Sequence, residues 1–408
     1  MPVLNPRKII KLSLIIFIVW ISFVPELIQI QYKIPLNLLL GIILIFSLAR
    51  QHFNFREVFL NPATAIFSAY LLLLLPGVFF SAQPRAALSF YKDLALSAAL
   101  VFFIFRGLAK SEDCQEIIYC LVVCAGIVSF LGMLEMFFKT NPIYLLLVDN
   151  PYYSRFIGKR MMSTLVHPNI VGAYLIACVP LASYFYRSAR NDKLKLLNLA
   201  FFCLIISGII LSFSRGTWIA CLLMCSFWLW QKGKNKWIIY LWLTSFVFSA
   251  VCATSIFGAN FAKRFGIIRL LYYVRFSHRA KNYIITWEAL KEHPFVGIGL
   301  NCYREFTAYF SRFRLTPEVR VPDSIYLMHL AETGLIGFLG LALLLGYILK
   351  KAWRNRQSAL FLGFLGLLIN MASFDGFLWQ TPFYLFWIYL ALLSATTESK
   401  DGPWAKEK

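Results

Sequence analysis

The sequence predicts an all-α membrane protein with about twelve transmembrane helices, and three observations support this fold class. The chain of 408 residues is 60% apolar and only 14% charged, with a mean hydropathy of +0.68, whereas a soluble protein of this size needs more charge to cover its surface. Apolar runs long enough to cross about 30 Å of hydrocarbon recur along the chain. Because these runs are continuous and do not alternate with polar residues, a membrane β-barrel is disfavoured.

The predicted spans divide the chain into four parts. Nine spans lie within residues 1–256, an external loop with an amphipathic helix covers 257–323, three spans lie within 324–396, and a tail covers 397–408. The first span follows basic residues, as in a signal peptide, but no small-residue cleavage site is obvious, so we expect it to be retained. The spans lie near 10–31, 35–49, 63–81, 88–106, 116–137, 168–187, 195–213, 215–231, 237–256, 324–349, 358–374 and 376–395.

The distribution of basic residues predicts how the helices are oriented. The net charge is +21, but most lysines and arginines form short clusters between apolar runs, which is typical of topology signals and not of a nucleic-acid surface. Alternate connections are rich in them, so the positive-inside rule places these connections and both termini in the cytoplasm. The longer segments 138–167 and 257–323 then lie on the external side. The nine cysteines show no spacing of a metal site or a disulfide framework.

Five unusual polar residues map to the external side. They are His167, Arg215, Arg279, Asp323 and Asp375, and all but Arg279 lie at or near the end of a span. Polar residues placed at random would be distributed over both faces. We therefore expect the chemistry of this protein on its external face.

Arg215 lies in "SFSRGTW", where the seventh span turns into the eighth. The first turn of a helix offers unpaired N–H groups and a partial positive charge. With an arginine added, such a turn is suited to bind phosphate or pyrophosphate. In the alternative interpretation, Arg215 is an interfacial residue that reaches towards lipid headgroups.

The long external loop begins with a run of basic residues. Aromatic residues are interleaved with them, and "RAKNYIITWEALKEHPF" predicts an amphipathic helix that ends before Pro294. Such a run can bind lipid headgroups, and beside Arg215 it also suits a lipid that carries a pyrophosphate. The basic residues are Lys263, Arg264, Arg269, Arg275, Arg279 and Lys281.

Two further external segments have both a functional and a structural interpretation. In "HPN", His167 and Asn169 could bind a substrate phosphate or hydroxyl; alternatively, Pro168 begins the helix and Asn169 satisfies its early N–H groups. In "SFDGF", Asp375 before a glycine is ordinary turn chemistry, so we leave it outside the predicted site.

The segment "PDSIYLMHLAETGLIG" opens the tenth span and carries four residues of interest. Either Asp323 or Ser324 can cap the helix, but an aspartate at the membrane surface can also take a proton from a sugar hydroxyl. His329 and Glu332 are three residues apart, share a helical face and lie deeper. We interpret them as an internal polar pair that fixes helix packing.

The order of these motifs resembles the O-antigen ligase and O-antigen polymerase superfamily of bacterial membrane glycosyltransferases. "SFSRGTW" is similar to its S-R-G motif at a span start. "RAKNYIITWEALKEHPFVGIGL" resembles its external-loop pattern of Arg, an aromatic residue four positions on, and then h-P-x-x-G-x-G. "YLMHLAETGLIG" matches its Y-L-x-x-L-x-E-x-G-x-x-G signature. The motifs cover about residues 160–345.

The resemblance implies a GT-C-like fold in the bacterial inner membrane with the active site facing the periplasm. It implies inverting transfer of a glycan from undecaprenyl pyrophosphate to a sugar hydroxyl, on lipid A-core for ligases or on a growing repeat chain for polymerases. No metal, cofactor or nucleotide sugar is implied. Arg215 and Arg279 would bind the donor pyrophosphate and stabilise the leaving group, with Arg275, His167 and Asn169 as further substrate-binding residues.

One departure from the family pattern concerns the base. Ligases usually carry His-Asn shortly before the Tyr-Leu pair, and the histidine is the proposed base, whereas this chain has Asp323 and Ser324 there. An aspartate can serve as a base, so transfer stays plausible, and a polymerase or another acceptor stays open. Two other classes are a transporter, although no internal repeat is present, and a structural lipid-binding protein whose basic loop holds headgroups.

Overall fold

The computed structural model describes residues 6–24, 36–49, 58–109, 113–141, 156–254, 278–309, 322–353 and 358–396, and it has no strand within these ranges. Short 3₁₀ turns cover Ser163–Leu165 and Gly376–Leu378. The α-helices are α1 (Pro6–Phe23), α2 (Leu36–Ala49), α3 (Pro62–Leu73), α4 (Leu75–Phe79), α5 (Pro84–Leu108), α6 (Asp113–Phe138), α7 (Pro168–Arg187), α8 (Asp192–Leu211), α9 (Arg215–Gln231), α10 (Asn235–Thr254), α11 (His278–Glu292), α12 (Tyr303–Tyr309), α13 (Ile325–Ala352), α14 (Ala359–Met371) and α15 (Gln380–Thr396).

Several helix starts are fixed by residues that the sequence places there. Proline occupies the first helical turn of α3, α5 and α7, where its missing N–H costs nothing. Asn61, Asn191, Ser324 and Ser358 cap α3, α8, α13 and α14, and each side chain accepts an N–H from the third residue on. These caps satisfy N–H groups that would otherwise lack a partner at the helix start.

The apolar helices make this a multi-pass membrane protein. Six described segments are long and apolar enough to cross a bilayer, and α2 and α14 are shorter apolar helices. The figure of about twelve spans is not confirmed and stays a prediction, as do the four-part division and the external loop. The six segments are Pro62–Phe79, Pro84–Leu108, Asp113–Phe138, Pro168–Arg187, Asp192–Leu211 and Ile325–Ala352.

The centre of the bundle is formed by α7, α14 and α15. Most side chains of these helices are buried, and Trp387 of α15 has no exposed surface. Helices α8 and α10 instead expose large apolar side chains such as Leu196 and Leu243. A helix that is apolar on all sides lies in the interior or faces lipid, so α8 and α10 are lipid-facing helices of the bundle.

Polar contacts show which helix ends lie together. At one end, Arg106 at the close of α5 donates to Ser394 Oγ of α15 over 2.5 Å, and Lys351 of α13 donates to the Ser394 carbonyl over 3.0 Å. At the opposite end, Thr381 at the start of α15 donates to the Ile21 carbonyl of α1 over 2.7 Å. The first end is the one that the basic residues predict to be cytoplasmic.

Helix α11 is the helix expected in "RAKNYIITWEALKEHPF", and it ends at Glu292, two residues before Pro294. Its buried residues Asn282, Ile285, Thr286 and Ala289 follow the i, i+3, i+4, i+7 spacing of one helical face. Ile285 and Ala289 pack with Ile298, Tyr303 and Ala331 in a small separate core. The helix is thereby attached to α13.

Candidate functional site

Three segments meet at the end of the bundle that is predicted to be external: the starts of α7 and α9, and the turn after α14. Asn370 Nδ2 of α14 donates to Thr217 Oγ1 of α9 over 2.9 Å. A Cβ on Gly216 would collide with the Ser373 hydroxyl, and one on Gly172 of α7 would collide with the Thr217 hydroxyl. The glycine of "SRG" therefore permits the close approach that brings these three segments together.

His167 lies at this junction and caps α7. Its Nδ1 accepts the backbone N–H of Asn169 over 3.3 Å. Its ring is stacked against Trp379 and Phe374, with centroid distances of 5.5 and 6.3 Å, and meets the edge of Phe156 at 5.4 Å. The cap is thus the histidine, and not Asn169 as the structural interpretation of "HPN" supposed.

Asn169 instead belongs to a hydrogen-bond network with Arg160 and Ser214. The Asn169 Oδ1 accepts from Arg160 Nη2 over 3.0 Å and from Ser214 Oγ over 3.2 Å. The guanidinium also donates to the carbonyls of Ser212 and Phe213 over 3.0 and 3.3 Å, and Arg160 is only 6% exposed. This network fixes the turn that presents Arg215 as the first residue of α9.

The backbone around this network is strained at three non-glycine residues. Ser163, Val166 and Phe213 have φ values of 51°, 52° and 47°. The left-handed region is unfavourable for residues with a Cβ, and most of all for a branched one such as valine. Strain of this kind persists only where the surroundings enforce it, and it is concentrated at functional sites. Val166 and Phe213 lie one and two residues before His167 and Arg215.

Glu135 of α6 binds the backbone of the strained segment around Ser163. Its Oε2 accepts the backbone N–H groups of Met162 and Ser163 over 3.2 and 2.6 Å, and the residue is 3% exposed. Ser163 Oγ in turn donates to the Val128 carbonyl over 2.6 Å. A carboxylate with two N–H donors is well suited to hold a short irregular segment between helices.

Asp323 precedes α13, but the cap of that helix is Ser324, whose Oγ accepts the N–H of Leu327. Two residues into the helix, Tyr326 donates to the Leu368 carbonyl of α14 over 3.0 Å. Since α14 leads into the turn that touches Gly216 and His167, the start of α13 lies at the same end of the bundle. A direct approach of Asp323 to Arg215 stays a prediction.

His329 and Glu332 form hydrogen bonds with different neighbours. His329 Nδ1 lies 3.1 Å from the Ile325 carbonyl and must donate to it, so Nε2 accepts from the Tyr70 hydroxyl at 2.9 Å. The Glu332 Oε1 accepts the backbone N–H of Tyr303 over 3.3 Å. Both residues are buried, and both act here through positioning contacts.

Helix α13 is broken at Gly334, and the loop after α11 fills the break. Gly334 has φ 59° and ψ −160°, so the N–H groups of Leu335 and Ile336 donate to the carbonyls of Pro294 and Phe295 over 2.9 and 3.1 Å. In return, the carbonyls of Ala331 and Glu332 accept from Ile298 and Gly299, both over 3.0 Å. We call residues 294–303 with the break at 331–336 the latch.

Glycines make the latch possible. Gly297, Gly299 and Gly334 all have positive φ, and a Cβ on any of them would overlap neighbouring atoms: the Glu332 backbone, Ser81 and the Phe295 backbone respectively. These are the glycines of "HPFVGIG" and "AETG". The two sequence motifs are therefore the two halves of one backbone interaction.

Of the two arginines predicted in the long loop, the structure describes the position of one. Arg279 lies in the first turn of α11, and Arg275 lies outside the described residues, as does most of the basic run that contains it. Arg160 is a residue of the junction that carries no local signal in the sequence. Asp375 lies in a turn, as its sequence predicts, and this turn packs against Gly216 and His167. Within the described part of the chain, no three His, Cys, Asp or Glu residues are grouped as metal ligands would be.

Comparison with known proteins finds a family match for part of the chain. Residues 199–342 match the family model described as O-antigen ligase, and no curated protein matches the chain. The matched segment includes the junction residue Arg215, helix α11 and both halves of the latch. The match confirms the predicted resemblance to the O-antigen ligase superfamily for this part of the chain.

Proposed function

We propose that this protein is a glycosyltransferase that moves a glycan from undecaprenyl pyrophosphate to a sugar hydroxyl in the synthesis of cell-surface polysaccharide or lipopolysaccharide. The observation that carries the proposal is that the S-R-G turn of the O-antigen ligase domain contacts the start of α7 and the turn after α14, at the end of the membrane bundle where α13 also begins. A lipid-linked donor suits this place, because its tail can stay in the bilayer while its charged pyrophosphate lies at the helix ends.

In the proposed reaction, Arg215 and Arg279 bind the pyrophosphate. The acceptor hydroxyl oxygen attacks the anomeric carbon from the face opposite the pyrophosphate, so the new C–O bond forms with inversion as the bond to the pyrophosphate oxygen breaks. Asp323 takes the hydroxyl proton. The arginines stabilise the negative charge that develops on the departing undecaprenyl pyrophosphate, and no metal is needed for this role.

The location follows from the same proposal. The protein lies in the bacterial inner membrane with both termini in the cytoplasm and the reacting groups at the periplasmic side. His167 and Asn169 lie beside the S-R-G turn and are proposed to contact the donor glycan or its phosphates, and Arg275 is proposed to add positive charge. Nucleic acid has no part in this function.

A polymerase of the same superfamily is the second candidate. The observation that favours it is that Asp323 and Ser324 replace the His-Asn pair typical of ligases, and Ser324 is used as the helix cap. Lipid A-core as the working acceptor identifies a ligase, and a lipid-linked repeat as the acceptor identifies a polymerase. A transporter is less well supported, because the carbonyls of Ala331 and Glu332 at the break in α13 accept from the loop and are not offered to an ion.

The test is transfer in vitro from a purified undecaprenyl-pyrophosphate glycan. We expect Arg215→Ala and Arg279→Ala to lower kcat/KM by about 100-fold or more, as removal of groups that stabilise transition-state charge does, and Asp323→Asn to lower kcat by about 100-fold.

Arg304→Ala and Glu292→Gln are the matched controls, since both residues are exposed and belong to the same predicted loop, 257–323. Full activity in all three site variants would refute the assignment. A requirement for an ion gradient in place of the lipid-linked donor would support the transporter.

A further inference from the structure

The proposed function requires that Arg279 and Asp323 keep a fixed position relative to each other, although they lie in separate elements. Arg279 is in the first turn of α11, and Asp323 precedes α13. The chain between these elements passes through the latch. A residue that fixes α11 to the latch therefore sets where the first turn of α11 lies relative to the start of α13.

Tyr303 is the point at which the latch ends and α12 begins. Its backbone N–H donates to Glu332 Oε1 over 3.3 Å. Three residues earlier, the Leu300 N–H donates to the Gly77 carbonyl of α4 over 3.0 Å. The backbone at this position is thus held both by the carboxylate of α13 and by the α3–α4 segment.

The side chain of Tyr303 points back to α11. It is 2% exposed, and its hydroxyl lies 3.2 Å from Asn282 Oδ1 and 3.4 Å from the Asn282 carbonyl. Asn282 is itself 1% exposed and lies three residues, about one helical turn, after Arg279.

The hydroxyl acts as a donor in this contact. Burial raises the pKa of Tyr303 well above that of a free tyrosine, and the charges of Glu332 and Asp323 raise it further. The group therefore stays protonated at any physiological pH.

We propose that Tyr303 is a positioning residue for glycan transfer: through its hydroxyl bond to Asn282 and its backbone bond to Glu332, it fixes the Arg279 end of α11 relative to the start of α13. Tyr303 does not touch the reacting atoms. Tyr303 should affect binding of the lipid-linked glycan donor, because Arg279, which it positions, belongs to the proposed pyrophosphate site. The inference rests on the proposed function.

Tyr303→Phe removes the hydroxyl and keeps the buried ring. The loss of one hydrogen bond should raise the KM for the lipid-linked donor about three- to ten-fold, while the KM for the acceptor stays unchanged. Asn282→Ala removes the side-chain acceptor but keeps the backbone carbonyl at 3.4 Å, so its effect should be equal or smaller, and the double variant should be no worse than Tyr303→Phe alone. Tyr283→Phe is the matched control, since Tyr283 is the adjacent residue of α11 but is 59% exposed.

Hydrogen exchange of α11 amides provides a second measurement that needs no activity. Exchange in residues 278–292 should be faster in Tyr303→Phe than in the wild type and unchanged in Tyr283→Phe. An unchanged donor KM, with or without a lower melting temperature, would overturn the positioning role. If the wild type transfers no glycan, the proposed function fails instead, and the exchange rates still decide whether Tyr303 tethers α11.

Discussion

Arg160 shows how one buried side chain can organise the junction. Its guanidinium donates to the Ser212 and Phe213 carbonyls and to the Asn169 side chain, which are three oxygens on two different segments. The planar fork of arginine can serve several acceptors at once, whereas the ammonium of lysine is a single point charge. The residue thus joins the start of α7 to the turn before α9.

We expect Arg160→Ala to destabilise the protein by at least about 2 kcal/mol, because it leaves buried oxygens without donors. Arg160→Lys should recover only part of this loss. Thermal unfolding in detergent measures both effects, with Arg190→Ala, an exposed arginine after α7, as the control. A melting temperature of Arg160→Ala equal to that of the control would contradict this role.

At the scale of elements, the latch replaces a continuous helix with two pieces joined through another segment. Four backbone groups at the break, the N–H groups of Leu335 and Ile336 and the carbonyls of Ala331 and Glu332, have partners in residues 294–299. Inside a bilayer an unsatisfied backbone group costs several kcal/mol, so the break is tolerated only while the loop is in place. The latch thereby ties the conformation of α13 to that of α11.

Gly334→Ala tests the latch directly. The φ and ψ of Gly334 lie in a region that is essentially restricted to glycine, and strain there is of the order of 1–3 kcal/mol, to which the overlap with the Phe295 backbone adds. We expect a lower melting temperature and faster exchange at Leu335 and Ile336. Gly346→Ala in the same helix meets open space and should be neutral or slightly stabilising. Equal stability of the two variants would argue against the latch.

Local signals explain which elements were predictable. The limits of α7 and α9 agree with the predicted 168–187 and 215–231, because a proline, a Ser-Arg-Gly turn and the length of each apolar run mark them. The break in α13 was missed within a predicted span over 324–349, because it depends on hydrogen bonds to a segment some 35 residues away. The same holds for Arg160, whose three acceptors lie on other segments.

The whole molecule has two chemically different ends. The predicted cytoplasmic end contains ordinary contacts between basic residues and helix termini, such as those of Arg106 and Lys351 with Ser394. The opposite end contains the strained residues, the aromatic stack on His167 and the Arg160 network. The residues with a strained backbone lie at this second end among the described residues, and this favours a single functional face.

The predicted orientation can be tested by labelling. In a background without the nine native cysteines, we place one cysteine at Gln83 or at Lys193, both exposed residues at opposite ends of the bundle. A maleimide that cannot cross the membrane should label Gln83→Cys in spheroplasts and should label Lys193→Cys only after lysis. The reverse pattern would place the junction in the cytoplasm and exclude a periplasmic reaction.

The latch also has a consequence for how the protein is made. Residues 294–299 are synthesised before α13, yet their partners exist only once α13 has left the ribosome and entered the bilayer. Until then the backbone groups of neither segment have their hydrogen-bond partners. We therefore expect the two segments to be buried together, in one late step of membrane insertion. Substitutions at Gly297, Gly299 or Gly334 would then act first on the yield of inserted protein, through quality control, before any enzyme molecule could be assayed.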